Sequence, residues 1–390
     1  MSPPSTPTPC GPPPERLGPL RRVILQSTSY CNIDCRYCYL PDRDRRRVMP
    51  VEVVEAVGGL LARSSDLLAE SVEVRWHAGE PLMAPVEHYR EATRVLRRAL
   101  GPHTDIRFSL QTNATPINGA WCDFFTDEDV SVGVSVDGPA LLHDAHRVTR
   151  GGRGTFARTM AGIGHLQRRG IAFDVISVIT PLTLRHADEH LAFLADLRPR
   201  SVGINPEETE GDHRSSLFDG GAFLDGYRSF LRRLLDFQDR TGIPVRRLAS
   251  MRAQVLRAEL PLRNDQIEPL LTLSVDVDGN LSSLSPELLG WKAPAYDDFV
   301  FGNALAPDAS LVDWSVGFRR LVDDAAAGRE ACRSTCGYFA LCGGGAVANK
   351  WTEHGTVTST ETDACRANIQ AVVDVVLTSL EREAAAAGPR

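Results

Sequence analysis

The stretch Arg22-Val-Ile-Leu-Gln-Ser-Thr-Ser-Tyr-Cys31-Asn-Ile-Asp-Cys35-Arg-Tyr-Cys38 sets an apolar, strand-like run directly before three cysteines. The spacing Cys31, Cys35, Cys38 is C-x3-C-x2-C, which crowds three thiolates into one loop. That supplies three corners of a four-iron cluster and leaves the fourth iron open to another ligand. The alternative, a zinc knuckle, needs a fourth ligand and usually has pairwise C-x2-C spacing.

Outward from this loop, short apolar segments alternate with longer helix-like ones as far as about residue 240, the pattern of a parallel α/β sheet. Strands are expected at Arg22–Ser27, Ser71–Trp76, Asp105–Thr112, Val130–Val136, Ala172–Thr180 and Ser201–Asn205, each rich in β-branched or other apolar residues. Apolar residues at helical spacing place helices at Val51–Ala62, Val86–Leu100, Phe156–Arg169 and His186–Leu197. Six such β/α units predict a partial TIM-like barrel. In such sheets the chemistry sits in loops at the carboxyl ends of the strands. The cysteine trio, His77-Ala78-Gly79-Glu80, Thr112-Asn113 and Asp137-Gly138 all follow predicted strands.

Beyond the barrel, Ala222–Gln238 and Pro244–Leu260 read as helices, and Asp278-Gly279 lies between two alternating segments as a hairpin turn. A second cysteine group follows, Cys332-Arg-Ser-Thr-Cys336-Gly-Tyr-Phe-Ala-Leu-Cys342-Gly-Gly-Gly, with Cys365 further on and a helix from about Asp363 to Glu383. Four thiolates close a cluster completely, so that it moves electrons without binding substrate; zinc competes for the same ligands. The expected organisation is a disordered proline-rich tail over 1–18, the barrel over 19–240, a helical linker over 241–265 and an auxiliary metal domain over 266–390. No convincing repeat with a period of roughly 20 to 50 residues is present.

Composition narrows the function classes. Apolar residues at 43% and charged residues at 24% suit a globular enzyme. No apolar run approaches the roughly 20 residues of a membrane span, and the start lacks a signal-peptide pattern, so a cytoplasmic protein with no membrane partner is expected. A net charge of −7 argues against nucleic acid as a partner. Nine cysteines in a long chain without a signal point to metal rather than disulfides, and Cys10 and Cys122 are left over as incidental or buried thiols. Only Lys292 and Lys350 are lysines, an imbalance from which no mechanism is drawn. The arginine run Arg43-Asp-Arg-Arg-Arg47 reads as solvated surface, with steering of an acidic leader peptide as the functional alternative.

The first cysteine loop resembles that of the radical S-adenosylmethionine superfamily. The resemblance implies that the amino and carboxylate groups of S-adenosylmethionine chelate the open iron, with Tyr37 beside the adenine. Trp76-His-Ala-Gly-Glu80-Pro-Leu82 is similar to the family's glycine-glycine-glutamate segment, with Ala78 at the first glycine, Gly79 at the second, and Glu80 holding the cofactor's amino group. Thr112, Asn113, Ser135 and the strand around Val178 match positions that contact the ribose, the methionine end and the adenine. Without the resemblance, each reads as turn chemistry or a satisfied strand end, and His77 reads as structural. The second cysteine group is similar to the SPASM extension of peptide-modifying radical enzymes. It departs from that pattern: no cysteine lies between Cys122 and Cys332, and Ala346 stands where another ligand is frequent. One auxiliary four-iron cluster is therefore expected, at Cys332, Cys336, Cys342 and Cys365, giving two clusters in all.

Further stretches, Leu25–Cys31, Gly133–Pro139, His143–Arg150 and Asn205–Gly211, resemble the cyclophane-forming SPASM maturases of ribosomal peptides. The resemblance spans about residues 20 to 385. It implies a precursor peptide as substrate and a reductase or a flavodoxin- or ferredoxin-type protein as electron donor. It also implies a 5′-deoxyadenosyl radical that takes a hydrogen from a β-carbon, after which that carbon adds to an aromatic ring. The adduct must then lose an electron, which the auxiliary cluster would accept, and a proton, which needs a base. Base candidates are Asp137, in a strand-end turn, and Glu207, Glu208 and Glu210, in the acidic loop after the sixth strand; a turn aspartate and a solvated charge run are the plain alternatives. Nothing long enough for a separate peptide-binding domain precedes the barrel, so leader recognition is expected to use the barrel, the second domain or another protein. Competing readings are a sister maturase making a thioether, an epimer or a formylglycine, a non-catalytic electron-transfer scaffold, and an RNA-modifying radical enzyme.

Overall fold

The computed structural model describes residues 17–102, 104–211, 213–215, 217–218, 223–257 and 263–387. Residues 1–16 of the proline-rich tail, Cys10 among them, lie outside the described residues, as do the ends of the predicted helices at Ala222 and at 258–260. All six predicted strands form: β1 (Leu20–Leu25), β2 (Leu68–Trp76), β3 (Asp105–Thr112), β4 (Val130–Ser135), β5 (Phe173–Ile179) and β6 (Ser201–Pro206). They pair in parallel and in chain order, the arrangement that right-handed β/α crossovers produce.

The hairpin strands β7 (Thr272–Val275) and β8 (Asn280–Ser283), with the short β9 (Gly302–Asn303), do not stand apart from this sheet. Strand β7 pairs in parallel with β1, so the nine-stranded order is β9-β8-β7-β1-β2-β3-β4-β5-β6. The β1 edge, which would otherwise expose unpaired backbone groups beside the cysteine loop, is covered in this way. Gly279 in the hairpin turn has φ +82, a conformation glycine adopts without strain.

Helix Val86–Leu100 shows why the helical layer forms. Tyr89, Ala92, Leu96 and Leu100 are buried on one stripe, while Arg94, Arg97 and Arg98 fall on the other face. Pro85 precedes it, and Gly101, at φ 65 and ψ −171, ends it in a conformation that glycine adopts without strain. Beneath it, Tyr89 packs edge-on against Trp76, whose ring stacks on Phe108 at 5.3 Å. Strand β5 alternates in the same spirit: Val175 and Ile179 are wholly buried, whereas Ile176 and Val178 line a central cavity.

The C-terminal part is helical. Val316–Thr335 carries Cys332, Phe339–Cys342 is a single turn, Val347–His354 follows, and Asp363–Cys365 begins the last helical run. That last run was expected to be one continuous helix, but a π-helical turn at Arg366–Gln370 precedes Ala371–Ala387. The wider turn admits an extra residue and re-aims the side chains on it, a device common at functional sites. Here it brings Asn368 and Ile369 to the cavity wall.

Candidate functional site

One cavity of about 740 Å³ opens at the carboxyl ends of the strands, and both cysteine groups face it. Cys31, Cys35 and Cys38 line one part, and Cys342 and Cys365 line another. The first loop is pinned by backbone and arginine contacts. Cys31 N donates to Arg43 O at 2.9 Å, and the Arg150 guanidinium donates to Cys31 O at 3.1 Å. Asp34–Cys35 forms a two-residue antiparallel pair with Arg147–Val148. Burial pushes the Cys31 and Cys35 thiols up to about 12, aided at Cys31 by the carboxylate of Glu80. Desolvated thiols such as Cys31 and Cys35 ionise readily only when a cationic centre binds them, and with Cys38 in the same loop the three fit the donor set of an iron–sulfur cluster.

Glu80 lies at the same wall and is 1% exposed. Its carboxylate accepts from Thr112 Oγ1 at 2.6 Å, Asn113 N at 2.7 Å and Leu82 N at 3.0 Å, yet burial still raises it to about 7. A buried carboxylate so disposed gains from an ammonium partner. The backbone before it is specialised: Ala78 and Gly79 have φ of 77° and 58°. A Cβ on Gly79 would stand 2.5 Å from Thr28 O, so only glycine lets this turn close on the cysteine loop. Ala78 replaces the expected first glycine and carries a positive φ, a strained choice for a residue with a side chain.

Thr112, Asn113, Ser135, Val178, Gly79 and Tyr37 all line the cavity. Asn113 Nδ2 lies 4.0 Å from Cys31 Sγ and donates to Asn32 Oδ1 at 2.8 Å. His77 also lines the cavity, and burial lowers it to about 4, keeping the imidazole neutral.

The four base candidates separate sharply. Asp137 is buried and is not among the lining residues. Arg147 donates to Oδ2 at 2.9 Å and to Oδ1 at 3.0 Å, Val178 N donates to Oδ1 at 2.9 Å, and the Tyr37 hydroxyl donates to Oδ2. Despite burial, which acts to raise it, the Arg147 guanidinium holds this carboxyl below the usual range. Glu208 is held by Asn349 and Asn368, each at 2.6 Å. Glu207 accepts from His213 at 2.8 Å, while its second oxygen is buried without a partner. Glu210 is pushed well up by burial and by the negative charge of Glu208 and Glu287.

Glu287 was missed from sequence. It lies on the segment after the hairpin, lines the same cavity and is raised to about 7, chiefly by burial. Arg147 was quoted within a longer stretch but given no role, although its guanidinium also lies 4.0 Å from Cys35 Sγ.

At the second cysteine group, Gly345 N donates to Cys342 Sγ at 3.1 Å, and Asn264 Nδ2 donates to the carbonyls of Cys342 and Gly345 at 2.9 and 2.7 Å. A hydrogen bond from Cys365 lowers the Cys342 thiol to about 6, while Cys365 itself is pushed up. Ala346, at the position where another ligand is frequent in the SPASM pattern, lines the cavity. Among the described residues, no three His, Cys, Asp or Glu side chains converge tightly enough to hold a single metal ion. The arginine run is not free surface throughout. Arg43 pairs with Asp34 at 2.7 Å, Arg46 donates to the Tyr30 hydroxyl at 3.1 Å, and Arg47 pairs with Asp278. Cys122 is buried in a helix and is not among the residues that line the cavity.

Comparison with known proteins bears on this site. Residues 25–210 match the radical SAM superfamily. An uncharacterised protein of Synechocystis sp. is 41% identical over 372 residues, covering 94% of this chain and 93% of that protein. The serine-type anaerobic sulfatase-maturating enzyme of Bacteroides thetaiotaomicron is 28% identical over 221 residues, 53% of each chain, so the match spans about half of that relative. Among solved structures, native anSMEcpe with bound AdoMet superposes with a TM-score of 0.75 at 20% identity, covering 93% of this chain and 99% of that one. Streptococcus suis SuiB bound to precursor peptide SuiA gives 0.60 at 16% identity, covering 89% and 76%. No helix among the described residues is long and apolar enough to cross a membrane.

Proposed function

We propose that this radical SAM enzyme, whose residues 25–210 match the radical SAM superfamily, matures a ribosomally made precursor peptide by joining an aromatic ring carbon to the β-carbon of a nearby residue. The observation that carries this reading is the sharing of one cavity of about 740 Å³ by both cysteine groups. A substrate segment there lies within reach of a radical source and of an electron acceptor. When bound, the cluster and S-adenosylmethionine supply a carbon radical strong enough to remove a hydrogen atom from an unactivated side chain.

The chain's own residues would do the rest. Cys31, Cys35 and Cys38 hold the first cluster, and Glu80 pairs with the ammonium of the cofactor. Tyr37, Gly79, Thr112, Asn113, Ser135 and Val178 form the walls against which ribose, adenine and methionine rest. Cys332, Cys336, Cys342 and Cys365 hold one auxiliary cluster in a SPASM-like C-terminal region. Glu210 is the base that takes the ring proton. It lines the cavity, and burial with the nearby charges of Glu208 and Glu287 raises its proton affinity, whereas Asp137 has both oxygens occupied by donors. Asp137 instead orients Tyr37 and Arg147.

The test is a reaction of anaerobically reconstituted enzyme with the short peptide encoded beside its gene. Loss of two hydrogen atoms, with fragmentation blocked between an aromatic residue and its partner, supports the crosslink. A second reading, oxidation of a serine or cysteine to formylglycine, is favoured by the similarity to sulfatase-maturating enzymes. It predicts a product that reacts with an aldehyde probe and fragments normally.

A further inference from the structure

Lys350 is one of only two lysines in the chain, and it is 1% exposed. Its ammonium donates to Cys332 Sγ at 3.5 Å. Among the described residues, that is its one hydrogen bond, and no carboxylate lies within salt-bridge reach. The other lysine, Lys292, is exposed and has Asp298 at 2.9 Å. Lys350 runs close to two glycines: a Cβ on Gly328, in the helix that carries Cys332, would meet Val357 O at 2.4 Å as well as Nζ at 3.1 Å, and one on Gly345 would stand 3.5 Å from Cε, an ordinary contact.

A buried ammonium without a carboxylate is among the costliest arrangements in a protein interior, and neutral thiols do not offset it. Thiolates do. Four of them around a metal centre carry the net negative charge that this cation lacks, and charges and hydrogen bonds near the sulfurs are what set a cluster's reduction potential.

We propose that Lys350 is the positioning residue of the second metal centre: a fixed positive charge against the Cys332 sulfur that balances the thiolates and raises the potential of a four-iron cluster held there. The inference rests on the reading that Cys332, Cys336, Cys342 and Cys365 bind iron.

The experiment uses the full chain, reconstituted anaerobically, as native protein, Lys350→Met and Lys350→Arg. Iron and zinc are counted, and the midpoint potential is read from the reduced-cluster resonance that does not change on adding S-adenosylmethionine. Thermal melts of metal-free protein are run beside it. Lys350→Met is expected to bind as much iron as native protein with the midpoint shifted to a lower value, and its metal-free melt is expected to rise because an uncompensated charge has gone. A lysine with a packing role alone would lower that melt and leave the potential in place, which overturns the proposal. Should Lys350→Met lose the second cluster while the S-adenosylmethionine-responsive resonance persists, loading restored in Lys350→Arg supports the counter-charge, and loading still absent there overturns it. Zinc in place of the second cluster in native protein overturns this inference and leaves the radical enzyme standing, whereas absence of any S-adenosylmethionine-responsive cluster overturns the function itself.

Discussion

Arg147→Met tests whether the pair with Asp137 is the joint that fixes the cluster loop to the barrel. Both side chains are under 10% exposed, and the guanidinium spans both carboxylate oxygens at 2.9 and 3.0 Å. Removing one partner of a buried pair costs about 3–5 kcal/mol, because the remaining charge is left unbalanced. Tyr37 and Val178 still donate to Asp137, which places the expected loss near the lower end, about 3 kcal/mol. The sign with pH follows from the lowered Asp137. In native protein its contribution is present above the ordinary aspartate range and is lost as pH falls through the folded value. In Arg147→Met the same carboxyl is buried without a cation, so protonation relieves the penalty, and the gap to native protein narrows as pH falls from about 7 towards 4. Equilibrium urea unfolding of metal-free protein under reducing, anaerobic conditions reads this directly. A loss below about 1 kcal/mol, or one equal at both pH values, refutes the reasoning.

Three other substitutions probe the same site. Glu80→Gln removes the partner of the cofactor ammonium and is expected to abolish S-adenosylmethionine cleavage. Because the native carboxyl is raised to about 7 from 4.5, metal-free native protein loses stability as pH rises through that window, by roughly 3 kcal/mol at about 1.4 kcal/mol per unit, and the variant's unfolding curve is flatter there. Glu210→Gln is expected to leave cofactor cleavage intact while peptide product falls at least about 100-fold, the usual worth of a general base, read by mass spectrometry. Gly79→Ala forces a Cβ to 2.5 Å from Thr28 O at a φ of +58, and is expected to cost about 2 kcal/mol in urea unfolding and to weaken cofactor binding by displacing Glu80.

What the sequence disclosed, and what it did not, divides along chain distance. The strands and the helix Val86–Leu100 were legible because their apolar spacing is local. The cysteine loop and Glu80 were legible because short motifs carry them. The parallel pairing of β7 with β1 joins segments about 250 residues apart, and no local pattern announces it. Asp137 read as a free strand-end carboxylate because its partner Arg147 reaches it only after the helix Ala140–His146 reverses the chain. Glu287 joins the acidic loop through the same long-range packing. The π-turn had no signal in apolar spacing, since its purpose is to move Asn368 to Glu208 rather than to bury surface. Lys350 did carry a signal, as a rare lysine beside the second cysteine group, and its meaning emerged only with its burial.

The central claim is that the first cysteine loop holds a radical-generating cluster and the second holds another. The measurement that tests it most directly is the iron and sulfide content of anaerobically reconstituted native protein and of a Cys31→Ala, Cys35→Ala, Cys38→Ala triple variant, with S-adenosylmethionine cleavage assayed in both. The account predicts about eight irons falling to about four, with 5′-deoxyadenosine formed by the native chain alone. Native protein that takes up no iron, or a triple variant that still cleaves the cofactor, would contradict it.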